Sequence, residues 1–521
     1  MANKINQKNG YHCEKFKKKN VKIVVYIVIG CIFFSLATAS YLVDPIHLMA
    51  RFLTRISMGT LLYNLLKQED MAGAHVYTYV FNITNAEDFI AGRDSKLKVE
   101  EVGPFVYQEY RTNTNFELHE ETGTMSYTPK VYARFIPELS IAHPSSVNLT
   151  MPNIAMLTIT SLASSYPYWT RLAYNLMVKQ LRTTSVMKVD AERFLWGYDE
   201  PLIAMAHNIL PGWINFERMG VLDRLYNSGD MTFELGATNT DKFLIKSYNG
   251  EKGIDALGYS KKQSRCNTFE DTYEGIAYPS DLTKERPLRV FRNVFCRILD
   301  LEYQGTKTMH FGPEVFRYSF SKKVFSNTTE NKCLCPDNNC IDGITDLSPC
   351  FFGLSVALSN AHYLHGDPKI YERIEGIAPD EAKHGSEFLV DPKLGAVLDT
   401  RFTLQLSLVL KDLSFNPIAK PFSKMIIPVT YFKIVQPELP QETVTNFWII
   451  YVLAPYIIHT FEIILFATGV VLITLSARLY HSSVFQQNNM NRIISQSEPL
   501  VDQKYNSLRR SCEKIQCLDS R

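Results

Sequence analysis

The 521-residue sequence lacks the short signatures of common enzyme chemistry. No Gly-x-Ser-x-Gly, His-Glu-x-x-His or Gly-x-x-x-x-Gly-Lys occurs. A nucleophile-elbow hydrolase, a zinc peptidase and a phosphate-loop enzyme therefore lose their sequence support. Ser319-Phe-Ser-Lys322 fits Ser-x-x-Lys, but it lies in a strand-like run without companion motifs. The chain reads as a non-enzyme, with no cofactor and no metal centre expected. At a net charge of +2 it also lacks the basic excess of a nucleic-acid binder. Ser/Gly linkers, low-complexity tracts and internal repeats are missing too, which leaves one large domain or two between the ends. Charge is absent altogether from Ile23 to Val43.

That stretch, and a second from Ala454 to Ser476 carrying the single acid Glu462, are each long enough to cross a hydrocarbon core of about 30 Å as a helix. The first exceeds the ~7–15 residues of a signal-peptide apolar region, so an uncleaved anchor is expected, although Ala37-Thr-Ala39 resembles a cleavage site. Seven lysines and one acid, Glu14, precede it; seven basic residues and four acids follow the second stretch. Lysine and arginine beside a span stay cytoplasmic, so both termini are expected inside and the middle outside or in a lumen. The plan is a cytoplasmic tail over 1–22, a span over 23–43, an ectodomain over 44–453, a span over 454–476 and a cytoplasmic tail over 477–521. Without the tails and Glu462, the chain keeps 41 basic and 47 acidic residues, so the ectodomain is mildly acidic. The lysine run is expected to meet anionic lipid heads. An ionised Glu462 near a helix centre costs roughly 2.5–3.5 kcal/mol on insertion scales, which marks it as an intramembrane functional candidate. His459, one turn away, is its expected partner, and helix pairing its expected role.

Compartment sorts the remaining signals. The sequons at Asn82, Asn148 and Asn327 all fall between the spans, as glycosylation requires. Cys266, Cys296, Cys333, Cys335, Cys340 and Cys350 lie close together in the ectodomain over 266–350. An even count in an oxidising compartment favours disulfides over a zinc site, though spacing alone does not choose the pairing. On the cytoplasmic side, Cys13 is near enough to the membrane to be a palmitoylation candidate, with a plain thiol as the alternative. Tyr505-Asn-Ser-Leu508 fits a tyrosine-based sorting signal. Ser497-Glu-Pro-Leu-Val501 is a weaker match to a dileucine signal.

Strand signals dominate the ectodomain. His75–Phe81, Phe105–Tyr110, Thr124–Tyr127, Phe311–Phe320, Arg401–Leu410 and Lys424–Val435 are β-rich. Arg401–Leu410 alternates, with Phe402, Leu404, Leu406, Leu408 and Leu410 on one face. Many short strands separated by turns predict an antiparallel barrel or sandwich. Helical spacing appears over Ile46–Gln68 and, at greatest length, over Met151–Lys188. Within Trp169–Arg182, residues Trp169, Leu172, Ala173, Leu176 and Met177 share an arc of about 140°, while Arg171, Lys179 and Arg182 share about 80° on the other side. The bland reading is a solvated face. The sharper one is a docking site for anionic lipid, lipoprotein or protein.

These residues resemble the class B scavenger receptor family, the group of fatty acid translocase and the lysosomal integral membrane protein. The resemblance covers nearly the whole chain. It rests on Gly103-Pro-Phe-Val-Tyr107, Phe194-Leu-Trp-Gly-Tyr198, Phe295-Cys-Arg297, the cysteine block from Cys333 to Cys350, and Phe388–Leu408. It implies the pairings Cys266–Cys333, Cys296–Cys350 and Cys335–Cys340. It implies a β-rich α+β fold: an irregular antiparallel β-barrel with an internal apolar tunnel, a membrane-distal helical cap over 151–188 and two terminal transmembrane helices. It implies ligand capture at the apex, where family lysine positions fall on Gln180 and Arg182 beside Lys179; Arg171, Lys179 and Arg182 are the candidate ligand residues. The expected function is binding of long-chain lipids or lipoproteins and passage of fatty acid, sterol or carotenoid through the tunnel to the membrane. A methylene exposed to water costs about 0.8 kcal/mol, which is the reason for an apolar bore. The alternative is an endolysosomal receptor that binds a protein partner at the apex. The plasma membrane is the expected location, with the endolysosomal membrane as the other compartment. A two-span ion channel with Glu462 facing the pore is a rival that these motifs speak against.

Overall fold

The computed structural model describes residues 2–209, 212–227, 229–335 and 340–496; the side chains of 2–17, 490, 491 and 493–496 fall outside the description. Chain contacts divide it into two compact units, Met1–Met49 with Asn446–Arg521, and Ala50–Thr445.

The first unit pairs two long helices, α1 (Ala2–Val43) and α8 (Ala454–Gln496). A short α-helix, Gln441–Trp448, and a π-helical stretch, Ile449–Leu453, lead into α8. Lys18–Val43 and Gln441–Asn489 are long and apolar enough to cross a membrane. Small residues set the spacing of the pair. A Cβ on Gly30 would lie 3.1 Å from the Gly469 carbonyl oxygen and 2.9 Å from Ile473 Cγ1, and one on Gly469 would lie 3.0 Å from the Gly30 carbonyl. Without hydrophobic drive in lipid, such close backbone approach and polar cross-links hold helices together. Phe34 and Phe466 pack at 5.2 Å, and the Ser476 hydroxyl donates to the Ile23 carbonyl.

The second unit is built on a fifteen-stranded sheet. Its long strands are β1 (Met71–Ile83), β2 (Leu97–His119), β3 (Thr124–Phe135), β10 (Arg297–Thr308), β13 (Val397–Val409) and β14 (Ile426–Val435). Shorter strands fill the main path, β6 (Phe233–Gly236), β7 (Ile245–Tyr248), β8 (Thr272–Tyr273), β9 (Leu288–Arg292), β11 (Glu314–Phe320) and β12 (Glu387–Val390), and three more, Thr345–Asp346, Val356–Ser359 and Ile374–Glu375, lie off it. The main path runs β8-β9-β10-β11-β12-β13-β14-β1-β2-β3-β6-β7. An isolated bridge between Leu244, beside β7, and Tyr273, in β8, brings its two ends together. The result is a nearly closed, mostly antiparallel barrel, which removes most of the exposed edge of so large a sheet. Gly103 shows why its motif needs glycine. Its φ is +148°, and a Cβ there would sit 2.8 Å from the Thr78 carbonyl oxygen across the β1–β2 ladder.

Three expectations need correction in detail. Ile46–Gln68 is not one helix: α2 (Pro45–Leu53) and α3 (Leu61–Leu66) are separated by a turn, with Thr60 capping α3. Met151–Lys188 is not helical throughout. Its ends belong to β4 (Asn148–Pro152) and β5 (Val186–Asp190), which pair with each other and hold α4 (Ile154–Ala163) and α5 (Tyr168–Leu181) between them. β13 alternates as expected, yet both of its faces are buried. The Val356–Ser359 strand pairs with it, and His362 and His384 bond Gln405 and Thr403 on its polar face.

Candidate functional site

The rotation of α5 is set by polar anchors. The Tyr174 hydroxyl lies 2.7 Å from the Thr160 hydroxyl on α4. Asn175 Nδ2 donates to the Phe415 carbonyl, and Asn416 Nδ2 donates to Asn175 Oδ1. These bonds turn Tyr174 and Val178 inward, at 7% and 1% exposure. The apolar stripe read from the sequence consequently faces outward, except Met177, which packs against the core. Trp169 is 75% exposed and Leu176 62%, with Leu172 and Ala173 exposed beside them. Tyr168 packs edge-on against Trp169 and is also exposed. A contiguous aromatic and aliphatic face left in water is unusual for a soluble surface and marks an interaction site.

The three basic candidates do not form one ridge. Lys179 is exposed at the C-terminal end of the apolar stripe. Arg171 turns to the inner side and lies over the Phe415 ring at 5.6 Å, its Nε buried without a hydrogen-bond partner. Arg182 caps α5 in a left-handed conformation, φ +53°, ψ +32°, outside the helical register that grouped it with the others. Of the three, Lys179 alone flanks the exposed apolar face.

The barrel interior is not uniformly apolar. Glu109 and Arg111 on β2, Tyr127 on β3, Glu274 after β8 and Arg292 at the end of β9 converge there. Arg111 Nη1 donates to Glu274 Oε1 at 2.7 Å, and Arg111 Nε donates to Asn113. Tyr226, which ends α7 (Val221–Tyr226), a helix that follows α6 (Ala191–Trp196) in the chain, donates to Glu109 at 2.7 Å. Arg292 lies over the Phe402 ring of β13 at 5.0 Å. β9 and β13 are separated by three strands along the sheet, so this contact crosses the interior. Burial pushes the Glu109 carboxyl above its ordinary range and Arg292 below its own; Tyr226 and the two arginines only partly offset the former. A separate cavity of about 950 Å³ opens beside this region, lined by residues that include Trp196, Phe216, Arg224, Tyr248 and Phe352.

A second polar cluster lies on the polar face of β13. His362 Nε2 meets Glu101 Oε2 at 2.9 Å, and the His362 and His384 rings stack at 4.4 Å. Glu101, His362 and His384 could by distance hold a metal ion. Their hydrogen bonds argue against it. The backbone N–H of Ala378 donates to His362 Nδ1, and that of Asp380 to His384 Nδ1, which leaves the protons of both neutral rings on Nε2. Burial opposes ionisation of Glu101, but hydrogen bonds from His362 and Tyr431 outweigh it and hold the carboxyl below its ordinary range.

The remaining candidates fall in separate places. Cys266 bonds Cys333, Cys296 bonds Cys350 and Cys335 bonds Cys340. Asn148 and Asn327 are exposed. Asn82, in β1, donates to Glu100 and accepts from the Thr150 N–H. Glu462 accepts from Ser40 and lies 3.0 Å from His459 Nδ1. The Cys13 side chain, Tyr505 and Leu508 lie outside the described residues. Neither the interior charges nor the Glu101 cluster carries a local sequence signal. Their members come from distant strands and look individually like ordinary polar residues.

The sequence pattern of the CD36 family matches residues 24–480. Scavenger receptor class B member 1 of Bos taurus is 27% identical over 426 residues, covering 80% of this chain and 81% of the relative. Lysosome membrane protein 2 of Rattus norvegicus is 27% identical over 398 residues, covering 74% and 80%. The human lysosome membrane protein 2 is 26% identical over 366 residues, covering 68% and 73%. With the family pattern running from one terminal helix through the barrel to the other, the chain belongs to the CD36 family.

Proposed function

We propose that this protein binds lipid or lipoprotein surfaces through the outer face of α5 and passes a hydrophobic ligand, such as a fatty acid, sterol or carotenoid, through its barrel to the membrane. The observation that carries the reading is the exposed stripe of Trp169, Leu172 and Leu176 beside Lys179. An apolar face engages acyl or sterol surface, and the flanking ammonium favours a carboxylate or phosphate head. The terminal helices, read as spans with both tails cytoplasmic, anchor the barrel on the non-cytoplasmic side. Asn82, Asn148 and Asn327 then carry glycans on an ectodomain over 44–453, between tails over 1–22 and 477–521, with α4 and α5 as the helices of its cap. The ligand exchanges one apolar environment for another, so its own concentration gradient sets the direction of movement. Native mass spectrometry of the delipidated full-length protein against long-chain acids, sterols and carotenoids tests this. Retention of at least one class is expected; failure of all three overturns the reading.

The similarity to lysosome membrane protein 2 supports a second reading, in which the same face binds a protein partner in the endolysosomal system. Exposed Tyr168 and Trp169 suit a protein hot spot equally well. Loss of protein capture with intact lipid binding in Trp169→Ser would favour this reading over the first.

A further inference from the structure

The chain that leads from α1 into β1 is held by polar anchors. Lys242, itself buried, donates from Nζ to the Thr54 carbonyl and to the Ser280 hydroxyl, each at 2.9 Å. Thr54 Oγ1 lies 3.2 Å from the same hydroxyl, and Arg51 pairs with Asp281 at 3.0 Å. Further along, the Asn113 side chain donates to the Leu66 carbonyl at 2.9 Å. Between these anchors Ile56 and Leu66 are buried in one core cluster, with Leu62 packed against it. The other side is apolar as well. Met58 is 75% exposed and Phe52 67%, and Leu61 and Leu65, which share one face of α3, are also exposed. A segment anchored so that four large apolar side chains stay in water marks an interaction surface.

Covalent geometry says what covers it. Helix α2 begins at Pro45, just after α1 ends at Val43. At 1.5 Å per helical residue, Phe52 is within about 20 Å of the end of the apolar span. Arg55 and Lys67 are exposed on the same segment. Such side chains lay their stems on apolar surface and reach a phosphate with their heads. We propose that Phe52 to Leu65 is a monotopic foot. Phe52, Met58, Leu61 and Leu65 enter the head-group and upper acyl zone of the non-cytoplasmic leaflet, to a depth of about 5–10 Å. The foot seats the base of the ectodomain on the bilayer. It rests on reading α1 as a span and is independent of lipid passage through the barrel.

The test uses the full-length protein in liposomes of phosphatidylcholine, a fraction of which carries a photoreactive diazirine near the carbonyl end of one acyl chain. Trypsin cuts after Arg55 and Lys67, so the peptide Ile56 to Lys67 is read separately from the span. Its labelling is expected to exceed that of exposed polar peptides elsewhere in the ectodomain several-fold. In the Leu61→Asp, Leu65→Asp double variant that excess should be lost, with the unfolding midpoint of the parent retained. Labelling of the span peptides with none on Ile56 to Lys67 overturns the foot and leaves the spans standing; no labelling of the spans overturns both. Undiminished labelling in the double variant, or a lowered midpoint that shows these leucines packed inside, also overturns the foot. Cross-links between Lys67 of two copies in place of lipid adducts would assign the face to a second copy and overturn it.

Discussion

The Ser40 hydroxyl donates a 2.6 Å hydrogen bond to Glu462 Oε1, joining α1 to α8 at a position where an isolated acid would be costly in lipid. His459 Nδ1 lies 3.0 Å from the other carboxylate oxygen. The acid is therefore a cross-link within the pair of terminal helices. Glu462→Leu should weaken that pairing by about 0.6–1.7 kcal/mol, the range of interhelical hydrogen bonds in membranes, while Glu462→Gln, which can still accept from Ser40, should lose less. Energy transfer between fluorophores on the two termini would report the loss. Equal transfer in all three proteins would remove the pairing role.

The glycine contact predicts a larger effect from a smaller change. Gly30→Val places methyl groups where the Gly469 carbonyl and Ile473 already stand. It should push the helices apart and lower disulfide trapping between cysteines introduced on facing turns. Trapping as efficient as in the parent protein would contradict the close approach.

On α5, stability and binding should separate. Tyr174→Phe removes the bond to Thr160 and should cost about 1 kcal/mol in thermal unfolding. Trp169→Ser and Leu176→Ser, both on the solvent side, should stay within about 0.5 kcal/mol of the parent but lose lipoprotein binding several-fold. A stability loss as large as that of Tyr174→Phe would mean the stripe is covered in the native molecule.

His384 predicts a pH dependence. Burial, reinforced by His362, pushes its pKa from 6.5 to about 4. Glu101 and Asp380 oppose this, and Lys383 adds to it. The unfolded chain then binds the proton more readily than the folded one. The contribution to stability is full above pH 6.5 and is lost as pH falls towards 4, by roughly 3 kcal/mol at most. Unfolding midpoints at pH 7 and pH 4.5 should differ less in His384→Asn than in the parent. An equal drop in both would place the acid sensitivity elsewhere.

The parts legible in the sequence were those written in contiguous residues. Ile23–Val43 needs no partner to read as a span, and Phe402–Leu410 shows its strand period on its own. The polar face of β13 gave no such clue. Thr403, Gln405 and Ser407 look solvent-facing until His384, His362 and Tyr363, from elsewhere in the chain, bond them. The α5 wheel grouped the right apolar residues, yet periodicity alone cannot say which face turns inward. Tyr174 and Asn175 decide that through Thr160, Phe415 and Asn416, two of them more than 200 residues away. Arg292 is the extreme case, since its setting comes from Phe402, Glu109 and Glu274, which other parts of the chain bring to it.

The core of the proposed function is capture of hydrophobic ligand at the outer face of α5 and its passage through the barrel. Its most direct test is transfer of a fluorescent long-chain fatty acid from an albumin donor into liposomes carrying the full-length protein. Transfer faster than into protein-free liposomes is expected, with a loss of most of that gain in the Trp169→Ser, Leu176→Ser double variant. Transfer at the protein-free rate by the native protein would contradict it.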